Sequence, residues 1–208
     1  MKKFVLILVL LFTLLPIKLD ATCAPGWMDG YTIIIRYPNQ YSGCEYTVTY
    51  CYRLVNGILE YQIDIVDINL NNVNCGLPEV VQAFNSTTFW NILNDRVCSD
   101  LILRMQGSIP PCPQTLTNVK QYYSTCWALK NNGPEHTASF IKCNYAPQYL
   151  CIKHYIYCKN SDGTYSREIV TITPPIDVCA QVIIPTIPPI GKTLEEYWIS
   201  DCTYKICE

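Results

Sequence analysis

Apolar and polar residues alternate with a period of two after Cys44. Tyr46, Val48, Tyr50 and Tyr52 fall on one face; Thr47, Thr49, Cys51 and Arg53 fall on the other. Alternation rich in β-branched and aromatic residues predicts a strand. Asn56-Gly57 follows, a pair suited to a type I′ turn, whose central residues both need positive φ. Leu59, Tyr61, Ile63 and Ile65 then alternate with Glu60, Gln62 and Asp64. This predicts the second strand of a hairpin, apolar on one face and covering a core on one side only. The pattern returns in residues 151–158, a turn at Ser161-Asp162-Gly163, and residues 165–173. Residues 122–129 and 139–143 are further predicted strands, around the turn Asn131-Asn132-Gly133-Pro134.

Beyond Cys75 the period changes. Pro78 suits a first helical position and Glu79 the positive start of a helix, while Val80, Val81 and Phe84 share helical spacing. Ser86 can cap another turn through Phe89, Trp90 and Leu93. A matching short helix is expected near the C-terminus, from Thr193 through Leu194, Glu195, Glu196, Tyr197 and Trp198. Pro185, Pro188 and Pro189 make the stretch before it extended.

These elements recur as if duplicated. Cys44-x6-Cys51 is repeated as Cys151-x6-Cys158, each second cysteine preceded by a tyrosine, at an offset of 107 residues. Past the turns the offset becomes 104: Tyr61 matches Tyr165, Ile68 matches Ile172, Cys75 matches Cys179 and Cys98 matches Cys202. Cys23 and Cys126 match more loosely. Self-similarity at a near-constant period is the mark of a repeat, and a change of offset at a hairpin loop is where length changes cost least. The expected fold is α+β and β-dominated: two tandem divergent repeats of antiparallel hairpins plus a short helix, stabilised by disulfides. The units are residues 22–107 and 115–208, joined by a proline-rich linker at 108–114.

The N-terminus changes the picture of where the chain folds. Lys2 and Lys3 precede an apolar run from Phe4 to Leu15, then Pro16 and a small residue at Ala21. That order predicts a signal peptide, residues 1–21, cleaved on export. The run is shorter than the roughly 20 residues of a spanning helix, and no later stretch is long enough to span. Cys23 would stand second in the mature chain, but Asp20-Ala21-Thr22 lacks the aliphatic residue of a bacterial lipoprotein signal. The 208-residue chain has a formal charge of −2; cleavage makes it about −4, with no basic cluster, which argues against nucleic acid.

An exported chain favours disulfides. All 13 cysteines lie beyond the signal: Cys23, Cys44, Cys51, Cys75, Cys98, Cys112, Cys126, Cys143, Cys151, Cys158, Cys179, Cys202 and Cys207. No Cys-x-x-Cys occurs and only 2 histidines are present, so zinc lacks its usual ligand pairs. An odd count leaves at least one thiol unpaired, modified or joined to another chain. In an unbroken strand Cys44 and Cys51 point to opposite faces and should seek different partners.

Catalytic chemistry finds little support. His136 and His154 are the only histidines, the first in a turn and the second in a strand pattern, and neither has a nucleophile and orienting partner nearby. Glu195 and Glu196 are adjacent and would diverge on a helix. Asp64, Asp67, Asn69, Asn71 and Asn72 offer oxygen ligands without the calcium-loop order. No cofactor or metal is expected. Asn85-Ser86-Thr87 matches a glycosylation acceptor.

The 16 tyrosines are the best lead. Tyr46, Tyr50, Tyr52, Tyr155 and Tyr157 are expected as an aromatic binding surface, since exposed aromatics stack on sugars or anchor proteins. The expected function is a secreted, non-catalytic binding or adhesion protein whose partner is an extracellular protein or carbohydrate. The alternatives are a structural envelope or matrix component, cross-linked into oligomers through an unpaired cysteine, and a secreted hydrolase or thiol–disulfide exchanger.

Overall fold

The structure is a computed structural model that describes residues 23–39, 43–70, 75–107, 109–113, 117–143, 146–179 and 185–207. The expected signal peptide lies outside the described residues. Among the described residues, ten strands form one mixed sheet, curled into a half-barrel around two helices, so the chain is β-dominated α+β. The strands are β1 (Met28–Tyr37), β2 (Cys44–Val55), β3 (Ile58–Asn69), β4 (Thr117–Ser124), β5 (Cys126–Asn132), β6 (Thr137–Lys142), β7 (Leu150–Lys159), β8 (Tyr165–Thr173), β9 (Tyr197–Ile199) and β10 (Thr203–Tyr204). The helices are α1 (Leu77–Asn85) and α2 (Thr87–Gln106).

Both expected hairpins form, β2 with β3 and β7 with β8. Asn56 and Gly57 carry the positive φ values the first turn demands, 51° and 79°. The sheet forks at β3. One edge of β3 pairs with β2; the other pairs in parallel with β4 at Leu59–Tyr61 and antiparallel with β6 at Ile65–Asn69. Strands from both halves of the chain thus share one sheet.

A bulge sits at the fork. Tyr50 faces Ile63 and Thr49 faces Ile65, so Asp64 has no opposite number. The extra residue slips the inward phase: Leu59, Tyr61 and Ile63 point into the core, then Val66 and Ile68. Ile65, expected on the apolar face, is only half-buried. Asp64 meets Lys142 of β6 at 3.0 Å.

The polar face of β3 is covered, contrary to the expectation of one-sided burial. Glu60 is 3% and Gln62 8% exposed. Arg53 Nε stands 2.6 Å from Glu60 Oε2, and its guanidinium lies 4.3 Å from the Trp27 ring and 5.4 Å from that of Tyr122. Trp27 is delivered by the bridge from Cys23 to Cys51, which ties the segment before β1 to β2. A carboxylate alternating with aliphatic residues looks solvated in sequence; here a distant arginine and indole desolvate and pair it.

The concave face packs on α2. Phe89, Trp90, Leu93, Val97, Cys98, Leu101 and Ile102 are its buried side, a stripe at helical spacing. Ser86 caps it, accepting from Phe89 N at 3.2 Å, as its sequence position predicts. Gly107, at φ 72°, closes it through a bond to Leu103 O. At 20 residues α2 is no short helix: it runs about 30 Å.

The second expected helix is absent. Leu194 to Glu196 hold only a turn before β9. The side-chain amide of Asn131 donates to Leu194 O and Glu196 O, both at 2.9 Å, and Trp198 pairs opposite Asn131 in the sheet. Tertiary partners take the carbonyls a helix would need.

Twelve cysteines form six disulfides: Cys23–Cys51, Cys44–Cys75, Cys112–Cys158, Cys126–Cys179, Cys143–Cys202 and Cys151–Cys207. Cys44 and Cys51 take different partners, as strand geometry requires. The bridges do not follow the repeat offset. Copies of Cys23–Cys51 and Cys44–Cys75 would join Cys126 to Cys158 and Cys151 to Cys179; these four cysteines bond elsewhere.

Candidate functional site

The tyrosines singled out by sequence do not form a surface. Tyr46 and Tyr50 are 0% exposed and Tyr155 and Tyr157 are 2%. They point to the concave side, where the helix needs large partners. Tyr50 donates to Asp100 Oδ2 at 2.5 Å and Tyr155 to Gln121 Oε1 at 2.8 Å. Tyr157 lies 2.8 Å from Ser99 Oγ, and burial pushes its hydroxyl up to about 12. Tyr52 alone is half-buried, stacked on Tyr31 with ring centroids 4.9 Å apart. Alternation identifies residues that share a face, but not which face becomes concave.

The other sequence candidates are dispersed. His136 ends a turn at φ 49° and is exposed. His154 Nε2 lies 3.2 Å from Asn118 Oδ1. Glu196 accepts from Thr193 N at 3.1 Å. Asp67 accepts from Ser139 at 2.6 Å; Asn71 and Asn72 lie outside the described residues. Cys98 is the free thiol, 1% exposed on the buried face of α2. Burial raises its pKa far above the ordinary thiol value, so thiolate is scarce, and folded chains cannot be joined through it.

What the fold does assemble is a groove along the outward side of α2. The curled sheet ends two of its branches in β1 and β8, and among the described residues each is paired on one edge only, to β2 and β7. Between them lies α2. A hollow of about 590 Å³ runs from Ile33–Arg36 of β1 across α2 to Tyr165. A second, of about 570 Å³, runs from α2 to Gly163, Tyr165 and Arg167. Both are lined by Ile92, Arg96, Ser99 and Tyr165, so they form one groove.

Its floor and rims expose apolar side chains: Ile34 is 62%, Leu103 45%, Tyr165 45% and Ile92 37% exposed. Around them stand ion pairs. Arg36 meets Glu45 at 3.0 Å, Arg104 meets Asp100 at 2.6 Å, and Arg167 pairs with Asp95. Desolvation raises the Asp95 carboxyl even against the pull of Arg167 and Arg96. Arg96 makes no ion pair with another described residue, although its charge acts on Asp95, and it stands near the middle of the groove.

No protein-family model, curated protein or solved structure matches this chain. What the groove can do must follow from its own geometry. An open sheet edge presents backbone donors and acceptors at regular spacing, and apolar side chains beside it supply pockets for alternate residues of an added strand. Ser99 is not poised as a nucleophile: its hydroxyl is engaged by Asp95 O, at 2.8 Å, and Tyr157.

Arg96 and Leu103 are not among the residues that sequence patterns single out, and Tyr165 enters there only as the match of Tyr61 and the start of a strand. A signal is nevertheless present in α2: outward positions 92, 96, 99 and 103 repeat at helical spacing and mix Ile and Leu with Arg. What brings them beside β1 and β8 is the curl of the sheet, which no local pattern encodes.

Proposed function

We propose that this chain is an exported, non-catalytic binding module that holds an extended polypeptide in the groove between β1 and β8. The observation that carries the reading is the pairing of two open sheet edges with an exposed, partly apolar helix face between them. Six disulfides are consistent with an oxidising extracellular compartment, and among the described residues no helix is long and apolar enough to cross a membrane.

The test places a photo-crosslinking residue at Ile34 or Leu103, inside the groove, and at Ile190, outside it, in the full chain secreted by its own cell. Adducts of one defined mass from Ile34 and Leu103 alone, lost in Arg96→Glu, support the groove. Equal adducts at Ile190, or none at the groove positions, remove it.

By the same reading the two hairpins descend from one. Cys51 faces Gln62 and Cys158 faces Ser166, which is the correspondence required by offsets of 107 before the turn and 104 after it. In each hairpin the first cysteine bonds downstream and the second upstream.

A further inference from the structure

A separate hollow lies between the start of α2 and the C-terminal segment, and it gathers hydrogen-bond donors without counter-charge. Its volume is about 180 Å³, smaller than the roughly 300–1,000 Å³ of sites for drug-sized ligands. Trp90, Asn91 and Asn94 of α2, Tyr123 of β4, and Thr203 and Lys205 line it.

Lys205 is 8% exposed. Its ammonium carries three N–H donors, and one goes to Phe84 O at 2.6 Å. Burial alone drives its pKa down, to about 7, with no carboxylate offsetting it. Thr203, 5% exposed on the same wall, has a buried Oγ1 without a hydrogen-bond partner among the described residues. Thr87 and Trp90 bring the first turn of a 20-residue helix to this space, the end that favours anions, beside Asn85 at the close of the shorter α1. Lys153 of β7 is a second cation on the wall. No Asp or Glu stands among the described lining residues.

We propose that this pocket binds a small oxyanion, a carboxylate or a phosphate, through Lys205 and Thr203 at the start of α2. One anion oxygen accepts from the Lys205 ammonium and another from the Thr203 hydroxyl. Trp90 and Tyr123 supply apolar walls for a short body attached to the anionic group. The groups facing Lys205 are Lys153 from β7, Tyr123 from β4 and the adjacent Tyr204. None of them is an acid that ionises below neutral pH, so the ammonium of Lys205 sets the pH dependence and binding fades as pH rises above 7.

Isothermal titration of the full chain with sodium acetate, and separately with inorganic phosphate, tests this. At pH 6 saturable binding is expected, with a dissociation constant on the order of 1 mM for the better anion. Whichever of the two binds more tightly identifies the class. Acetate binding should weaken about tenfold or more by pH 9, as the bound ammonium is lost. Lys205→Met should weaken binding about tenfold or more. Asn91→Asp, an exposed change at the mouth that keeps the fold, should do likewise by placing a like charge there. Unchanged affinity in Asn91→Asp, or no saturable binding of either anion at pH 6, overturns the proposal.

Discussion

Lys205 Nζ lies 2.6 Å from the carbonyl oxygen of Phe84 and 3.8 Å from the centre of its ring. Phe84 belongs to the last turn of α1, so a cation from near the C-terminus satisfies a helix-end carbonyl and sits at the negative pole. Trp90 Nε1 donates to the same oxygen at 2.9 Å. One carbonyl thus joins α1, α2 and the C-terminal segment.

Burial makes this contact dependent on pH. The Lys205 pKa falls from 10.5 to about 7 in the folded chain. Between those values the unfolded chain binds the extra proton, so stability rises with pH across that window. Below 7 both states are protonated and the full penalty remains. Urea unfolding of the wild type against Lys205→Met should show the wild type gaining about 2 kcal/mol relative to the variant between pH 7 and 9. A pH-independent difference would mean that the ammonium is solvated.

Cys98 should be silent in the native protein. It is buried on α2 against the sheet, so Ellman titration should detect no thiol until denaturant is added, then one. Non-reducing electrophoresis should show a monomer. Cys98→Ala removes a small buried group and is expected to cost about 1 kcal/mol by chemical unfolding. A native thiol signal, or a covalent dimer, would place a different cysteine outside the bridges.

Much of this architecture is legible locally. Tyr46 to Tyr52 and Leu59 to Ile63 alternate, Asn56-Gly57 turns, and Ser86 caps, because strand period, positive φ and side-chain capping are properties of a few adjacent residues. The rest depends on distant partners. The bulge at Asp64 is set by the fork to β4 and β6. Leu194 to Trp198 has the composition of a helix start, yet Asn131 claims its carbonyls. The buried Glu60 needs Arg53 and Trp27, and the groove needs the curl that brings β1 and β8 to either side of α2. Cysteine spacing carries the number of bridges but not their connectivity, since unrelated loops can bring sulfurs together.

The pair Arg53–Glu60 offers a test of how the convex face is held. Glu60 is almost fully buried and Arg53 about one-third exposed at the side chain. Arg53→Ala leaves a buried carboxylate without its partner and should cost about 3–5 kcal/mol at pH 7. The double variant Arg53→Met with Glu60→Leu removes both charges while keeping volume under Trp27 and Tyr122, and should recover most of that loss. Chemical unfolding of the three proteins decides it: a double variant no better than Arg53→Ala would mean that the unpaired charge of Glu60 is not the source of the loss, and that the guanidinium acts through its contacts to Trp27 and Tyr122.

The bridge Cys23–Cys51 should act on this same cluster. It closes a separation of 28 residues, worth about 3–4 kcal/mol by loop entropy, but it also carries the segment before β1 across β2 so that Trp27 covers the guanidinium of Arg53. Replacing both cysteines by serine should therefore cost more than loop entropy alone and should uncover Arg53 and Glu60. In a double-mutant cycle the bridge and Arg53→Ala should be non-additive: once Trp27 is released, Glu60 is solvated, and losing Arg53 costs about 1 kcal/mol, as for an exposed pair. Trp27 fluorescence should move to longer wavelength in the bridge variant under native conditions. Strict additivity, with an unmoved spectrum, would show that β-pairing of β1 holds Trp27 in place without the bridge.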